Sequence, residues 1–224
     1  LYAQATRAKK IAIVIGVGPY PTGSGLPRLY ADEDTQEIAE ALRAEGWTVF
    51  QLNNGTIESL PNSTNILNLL GVKRTSQGNF DFSGVSPLYS PEKLNAADQL
   101  LFYYGGHAIT DKNLNDCLLP LNSKVKDGVV QNSSSLVPIK VIESSLVQSG
   151  AGMILMFIDG CRSSASVRSG NEPSPKFTKK VTTTRPPTAT ISPVPKENRS
   201  LFVVQSAEHG QYAYDDKKLR AGVF

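Results

Sequence analysis

A chain of 224 residues, 40% of them hydrophobic and 19% charged, is long enough for one well-buried α/β domain, or for one domain plus a long insertion. Its longest apolar runs, residues 11–17 and 153–158, fall far short of the roughly 20 residues a membrane helix needs, and two cysteines are too few for a disulfide framework. The net charge of +3 is concentrated in one tract: residues 162–199 hold eight basic and two acidic side chains, about +6, which leaves −3 for everything else and removes the pI as an argument for nucleic-acid binding.

Residues 11–17, rich in Ile and Val, read as a strand buried on both faces. A Gly/Pro-rich loop runs from Gly18 to Pro27. Residues 32–45 carry Ile38, Ala41 and Leu42 at helical spacing, with Asp32, Glu33 and Asp34 suited to a helix start and Gly46 to its end. Residues 47–52 form a second strand, giving a right-handed parallel βαβ unit. Ser63 or Thr64 is expected to cap a second helix over 65–72, followed by loop through 73–93. Residues 98–104 read as a third strand that delivers Gly105, Gly106, His107 and Ala108. A short extended arm covers 117–121. Pro138 is expected as the first residue of a third helix, with Ile139, Ile142 and Leu146 as its apolar stripe up to Gly150. A fourth strand over 152–158 delivers Asp159, Gly160 and Cys161. Residues 163–199 contain six prolines, many Ser and Thr and almost no large apolar side chain, and read as a flexible basic linker. Residues 201–205 return as a fifth strand. Strands alternating with helices predict an α/β sandwich on a mostly parallel sheet.

Reactive groups in such sheets collect beyond the carboxyl ends of the strands. Two strands end in reactive residues, the third at His107 and the fourth at Cys161; if they are neighbours, the two side chains share one sheet edge. An imidazole beside a thiol suffices for covalent catalysis, because it draws off the thiol proton and returns it to a leaving group. Cys117, set against Leu118 and Leu119, reads instead as a buried small hydrophobe, and His209 as a surface loop residue.

The segments Leu101-Phe102-Tyr103-Tyr104-Gly105-Gly106-His107-Ala108 and Met156-Phe157-Ile158-Asp159-Gly160-Cys161-Arg162-Ser163 resemble the His and Cys motifs of metacaspases, and among these the bacterial orthocaspases most closely. The 54 residues from His107 to Cys161 are near the roughly 50 of caspases. Leu29 to Asp34 resembles the family's element before the first helix, Ser63 to Ile66 the start of its second helix, and Gln211 to Tyr214 with Gly222 to Phe224 its small-subunit region. The resemblance implies a caspase-like three-layer sandwich over 1–224: a large-subunit-like part (1–162), the linker (163–199) and the beginning of a small-subunit-like part (200–224), the family continuing beyond Phe224.

It further implies a cysteine endopeptidase with Cys161 as nucleophile and His107 as general base and acid. Asp34 and Asp159, with Ala31 and Gly105, would line an S1 pocket for Arg or Lys, and the backbone N–H groups of Ala108 and Cys161 would form the oxyanion hole. Ala108 stands where the family has Gly, and Gly105 where many relatives have Ser. Asp111, Asp116 and Asp127 are scattered and Asn122 stands where an Asp is common, so no metal, no cofactor and calcium independence are expected. Arg168, Lys179, Lys180 and Arg185 are candidate autocleavage sites. Expected partners are proteins or peptides with a basic P1 residue, with no nucleic acid and no membrane, for a monomer in the cytoplasm; a secreted form stays open because the chain begins at Leu1. The alternative is a non-catalytic caspase-fold module for protein interaction. An Asp-specific pocket conflicts with two lining carboxylates, and a flavodoxin-like phosphate binder lacks a Gly-Lys-Ser/Thr loop ending.

Overall fold

A computed structural model of the chain describes residues 7–53, 56, 59–83, 86–90, 92–111, 115–126, 129–160, 200–206, 214–216 and 221–223. In chain order these form β1 (Lys10–Gly16), α1 (Ala31–Ala44), β2 (Thr48–Leu52), α2 (Ser63–Leu69), β3 (Lys73–Arg74) and β4 (Phe80–Asp81). There follow β5 (Gln99–Gly105), β6 (Ala108–Thr110), β7 (Asp116–Leu118), β8 (Val125–Lys126), β9 (Val129–Val130), β10 (Val137–Pro138), α3 (Ile139–Gln148) and β11 (Met153–Asp159). The last three are β12 (Ser200–Gln205), β13 (Tyr214–Asp216) and β14 (Ala221–Val223).

The five long strands make one sheet in the order β12-β11-β5-β1-β2, and every pairing in it is parallel. The alternation of β1 decides which helix goes where. Ile11, Ile13 and Ile15 join Leu100, Phe102, Tyr104, Ile154, Met156 and Ile158 on the face covered by Ile66 and Leu70 of the α2 region and by Ile139, Ile142 and Leu146 of α3. Ala12 and Val14 join Leu101 on the opposite face, under Ala39, Ile38 and Leu42 of α1. Helix, sheet, helix: this is an α/β fold of three layers around a parallel sheet, consistent with the caspase-like architecture. Burial on both faces is why β1 reads as an unbroken apolar run rather than as an alternating one.

Local differences from the expectations have identifiable causes. Trp47 belongs to the turn after α1, because its N–H donates to the Leu42 carbonyl at 3.0 Å. Gly46, at φ +80°, supplies the left-handed turn that ends the helix. The cap of α2 is Asn62, one residue before the two expected candidates; its Oδ1 accepts the Asn65 N–H at 2.8 Å. Pro138 is not the first helical residue but the extended one before it, held at ψ 135° where β10 pairs with Cys117 of β7. The stretch 73–93, expected as loop, contains the two-residue hairpin β3–β4, with Arg74 4.4 Å from the Phe80 ring. No helix among the described residues is long and apolar enough to cross a membrane.

Candidate active site

Three strand ends meet at one edge of the sheet, with Gly16, Gly105 and Asp159 side by side in register. The β5 and β11 tips are tied by the Gly106 N–H, which donates to the Asp159 carbonyl at 3.0 Å, and Val17 N–H ties β1 to the Gly105 carbonyl at 2.9 Å. Glycine is required by space here. A Cβ on Gly106 would lie 2.6 Å from Tyr104 Oη, and one on Gly160 would lie 2.7 Å from the Gly106 carbonyl oxygen. The third and fourth strands are thus neighbours, as the shared-edge reading requires, and the chain leaves β11 at Gly160 directly against Gly106 and Ala108. Cys161 itself lies outside the described residues.

His107 follows the β5 tip and is 8% exposed. Its Nε2 lies 3.0 Å from the Pro27 carbonyl oxygen. A carbonyl only accepts, so Nε2 carries the proton and Nδ1 is left with its lone pair: the neutral tautomer of a proton acceptor. Burial pushes the imidazole from 6.5 down to about 4, outweighing the Pro27 hydrogen bond, which acts in the other direction. At neutral pH the ring is uncharged. The backbone of His107 is held as firmly, its carbonyl accepting from Leu119 N–H at 2.9 Å and from Tyr104 Oη at 2.9 Å, and its N–H donating to Tyr20 Oη at 3.2 Å.

Ala108 opens β6 opposite Leu118 of β7. Its neighbours on either side, His107 with Leu119 and Ile109 with Cys117, are the hydrogen-bonding pairs by alternation, so the Ala108 N–H points away from β7. It faces toward Gly160, whose Cβ position would be 3.5 Å from the Ala108 nitrogen. An amide aimed outward beside the end of β11 has the character of an oxyanion donor.

The expected S1 residues gather around Gly105. A Cβ there would sit 3.2 Å from the Ala31 methyl group, so α1 begins directly over the β5 tip. Asp34, one turn on, shares the face of Ala31. Asp159 is raised above the ordinary carboxylate range by burial, with the hydroxyls of Ser206 and Tyr103 pulling the other way. Asp32 has a buried oxygen, Oδ1, without a hydrogen-bond partner among the described residues, and burial likewise raises its pKa. Three carboxylates in the first turn of α1 and one on β11 make this corner of the edge acidic. Arg28, paired with Glu33 at 3.8 Å, is a cation beside it.

The other candidates fall elsewhere. Cys117 is buried, with its thiol pushed up to about 12, as befits a core residue. Asn122 is structural: its Oδ1 accepts the Ser63 N–H at 3.0 Å and its Nδ2 donates to Ser63 Oγ at 3.1 Å. Asp116 accepts from Thr110 Oγ1 and Asp111 from the Asn115 N–H, both at 2.8 Å. Asp127, His209 and the proposed cleavage points Arg168, Lys179, Lys180 and Arg185 lie outside the described residues. Pro27, Tyr20 and Tyr104, which hydrogen-bond His107, escape sequence reasoning. One acts through its carbonyl, and the tyrosines look like loop and strand filler.

Residues 83–224, well over half of the chain, match the sequence profile of a family described as the caspase domain. The matched span contains His107, Asp159 and Cys161, whereas Ala31 and Asp34 precede it. No curated protein matches the chain. Among solved structures, the crystal structure of a protein from Geobacter sulfurreducens aligns over 70% of this chain with a TM-score of 0.45 and 15% identity, and the chain spans 52% of the length of that structure.

Proposed function

The chain belongs to the caspase-domain family of cysteine peptidases, and from that premise we propose that it is an endopeptidase of the metacaspase type, close to the orthocaspases, that cleaves after Arg or Lys. The observation that carries this reading is the neutral imidazole of His107, fixed by Pro27 with Nδ1 unprotonated, at the tip of the strand next to the one that leads into Cys161. In the reaction Nδ1 takes the proton of the Cys161 thiol as the sulfur attacks the scissile carbonyl carbon. The tetrahedral oxyanion is met by the Ala108 and Cys161 amides. The imidazolium then protonates the departing amine, leaving a thioester, and water attacks that thioester with His107 again taking the proton. Because burial holds the imidazole neutral at pH 7, it is free to accept a proton.

The acidic corner supports basic specificity. A guanidinium entering beside Asp159 and Asp34 offsets the burial that raises Asp159, whereas an aspartate side chain would add a like charge. The linker, basic and rich in proline, is the natural self-processing substrate of such an enzyme, and no calcium site is invoked for activation. Fluorogenic peptides ending in Arg, Lys or Asp, with and without calcium, test the reading. Cleavage of the Arg and Lys peptides, lost in Cys161→Ala, is expected; turnover by Cys161→Ala, or a preference for Asp, would sink it.

A further inference from the structure

The ladder between β6 and β7 is interrupted at the histidine. Hydrogen-bonded pairs fall at odd positions, with Asp111 N–H donating to the Asn115 carbonyl at 2.8 Å and Leu119 N–H to the His107 carbonyl at 2.9 Å. The regular pattern calls for a reciprocal bond from the His107 N–H to the Leu119 carbonyl. Instead the Tyr20 hydroxyl occupies that place: it accepts from His107 N–H at 3.2 Å and donates to the Leu119 carbonyl at 2.5 Å. The Tyr20 ring also lies 5.2 Å from the imidazole, tilted by 37°. One side chain from the loop after β1 therefore holds both the backbone and one flank of the imidazole.

We infer that Tyr20 is the positioning residue of His107: its hydroxyl keeps the start of β6 an oxygen's width from β7, and its ring sets the plane in which the imidazole reaches the Pro27 carbonyl. The inference rests on the reading of His107 as the proton acceptor. Tyr104 belongs to the same network, its hydroxyl hydrogen-bonded to that of Tyr20, but it takes no bond from the His107 N–H. Its one hydroxyl proton is shared between the His107 carbonyl at 2.9 Å and the Leu119 carbonyl at 3.1 Å, and without it the first still has Leu119 N–H and the second still has Tyr20. Without the Tyr20 hydroxyl, the His107 N–H has no acceptor among the described residues. Either water enters, or the strands close and carry His107 away from Pro27.

The test compares Tyr20→Phe with Tyr104→Phe, both in a Cys161→Ala background for spectroscopy. The chain has two histidines, which makes their imidazole nitrogens simple to assign by nuclear magnetic resonance. The parent is expected to keep the Nε2–H tautomer down to about pH 4. Tyr20→Phe is expected to mix the tautomers and move the His107 midpoint by at least about one pH unit toward its ordinary value. Tyr104→Phe leaves tautomer and midpoint as in the parent. With Cys161 intact, Tyr20→Phe lowers kcat for an arginyl peptide by roughly ten- to a hundredfold at unchanged KM. An unchanged His107 tautomer and midpoint in Tyr20→Phe, or equal shifts in both variants, would overturn the inference. Should Tyr20→Phe not fold, the unsubstituted protein decides by itself, through a protected Tyr20 hydroxyl proton with a nuclear Overhauser contact to the His107 amide. Absence of that contact refutes the assignment. If the intact chain cleaves no arginyl peptide, the peptidase reading falls, while the spectra still decide the role of Tyr20.

Discussion

Replacing His107 by Asn should make the fold markedly more resistant to acid. The imidazole is held neutral by burial down to about pH 4, whereas in the unfolded chain it takes up a proton near 6.5. Between those values the unfolded state binds the extra proton, so the stability of the native protein falls as the pH falls, and the loss is complete below the folded value. Above pH 7 neither state is charged and the effect vanishes. Each tenfold difference in proton affinity is worth about 1.4 kcal/mol, so the drop from 6.5 to about 4 amounts to about 3 kcal/mol. That is a large share of the 5–15 kcal/mol typical of a domain. Urea unfolding at a series of pH values from 4 to 8, on Cys161→Ala and on Cys161→Ala/His107→Asn, measures it. The carboxylates that also titrate in this range are common to both proteins and cancel in the difference. The gap between the two curves should change by about 3 kcal/mol between pH 7 and pH 4, in favour of His107→Asn. Parallel curves would refute the claim that the imidazole is buried and uncharged.

Three further substitutions probe the same edge and one cap. Gly160→Ala would set a methyl group 2.7 Å from the Gly106 carbonyl oxygen and 3.2 Å from the Ala108 methyl; a loss of about 1–3 kcal/mol in urea unfolding and a fall in kcat/KM are expected as the two tips are pushed apart. Asp159→Asn should raise the unfolding midpoint at pH 7, where the burial of an ionised carboxylate acts against folding, and leave it unchanged at acid pH where the group is protonated. The same substitution should cost about 2 kcal/mol, roughly thirtyfold, in kcat/KM for an arginyl peptide, and the parent should lose affinity for that peptide as the pH falls through the raised pKa. Asn62→Ala removes the acceptor of the Asn65 N–H and should lower stability by about 1 kcal/mol without touching kcat, as read by thermal unfolding and the peptide assay together.

What the sequence made legible is what depends on side-chain type at regular spacing. The β-branched run of β1, the acidic start of α1 and the reactive residues closing β5 and β11 all follow from periodicity and from where polar residues interrupt it. The expected caps Ser63 and Thr64 lie one and two residues past the actual one, Asn62, because only geometry selects the side chain whose oxygen meets the Asn65 N–H. Pro138 suits the position before a helix as well as its first turn, and the pairing with Cys117 settles it. The hairpin β3–β4 is too short to leave a period. Least legible was the environment of His107. A carbonyl at Pro27 has no signature in the alphabet of side chains, and the insertion of Tyr20 into a ladder 87 residues away depends on the tertiary approach of the first loop to β6 and β7.

The pairing of β11 with β12 runs through six consecutive registers, from Met153 with Ser200 to Ile158 with Gln205, and brackets the whole of 163–199. Severing the chain anywhere in that tract would leave the downstream piece bound by its row of backbone hydrogen bonds to β11 and by Leu201, packed among the core side chains. His107 and Gly160 both lie upstream of any such cut, so the assembled edge survives it. A nicked molecule should therefore run as two bands after denaturation and as one particle in a sizing column.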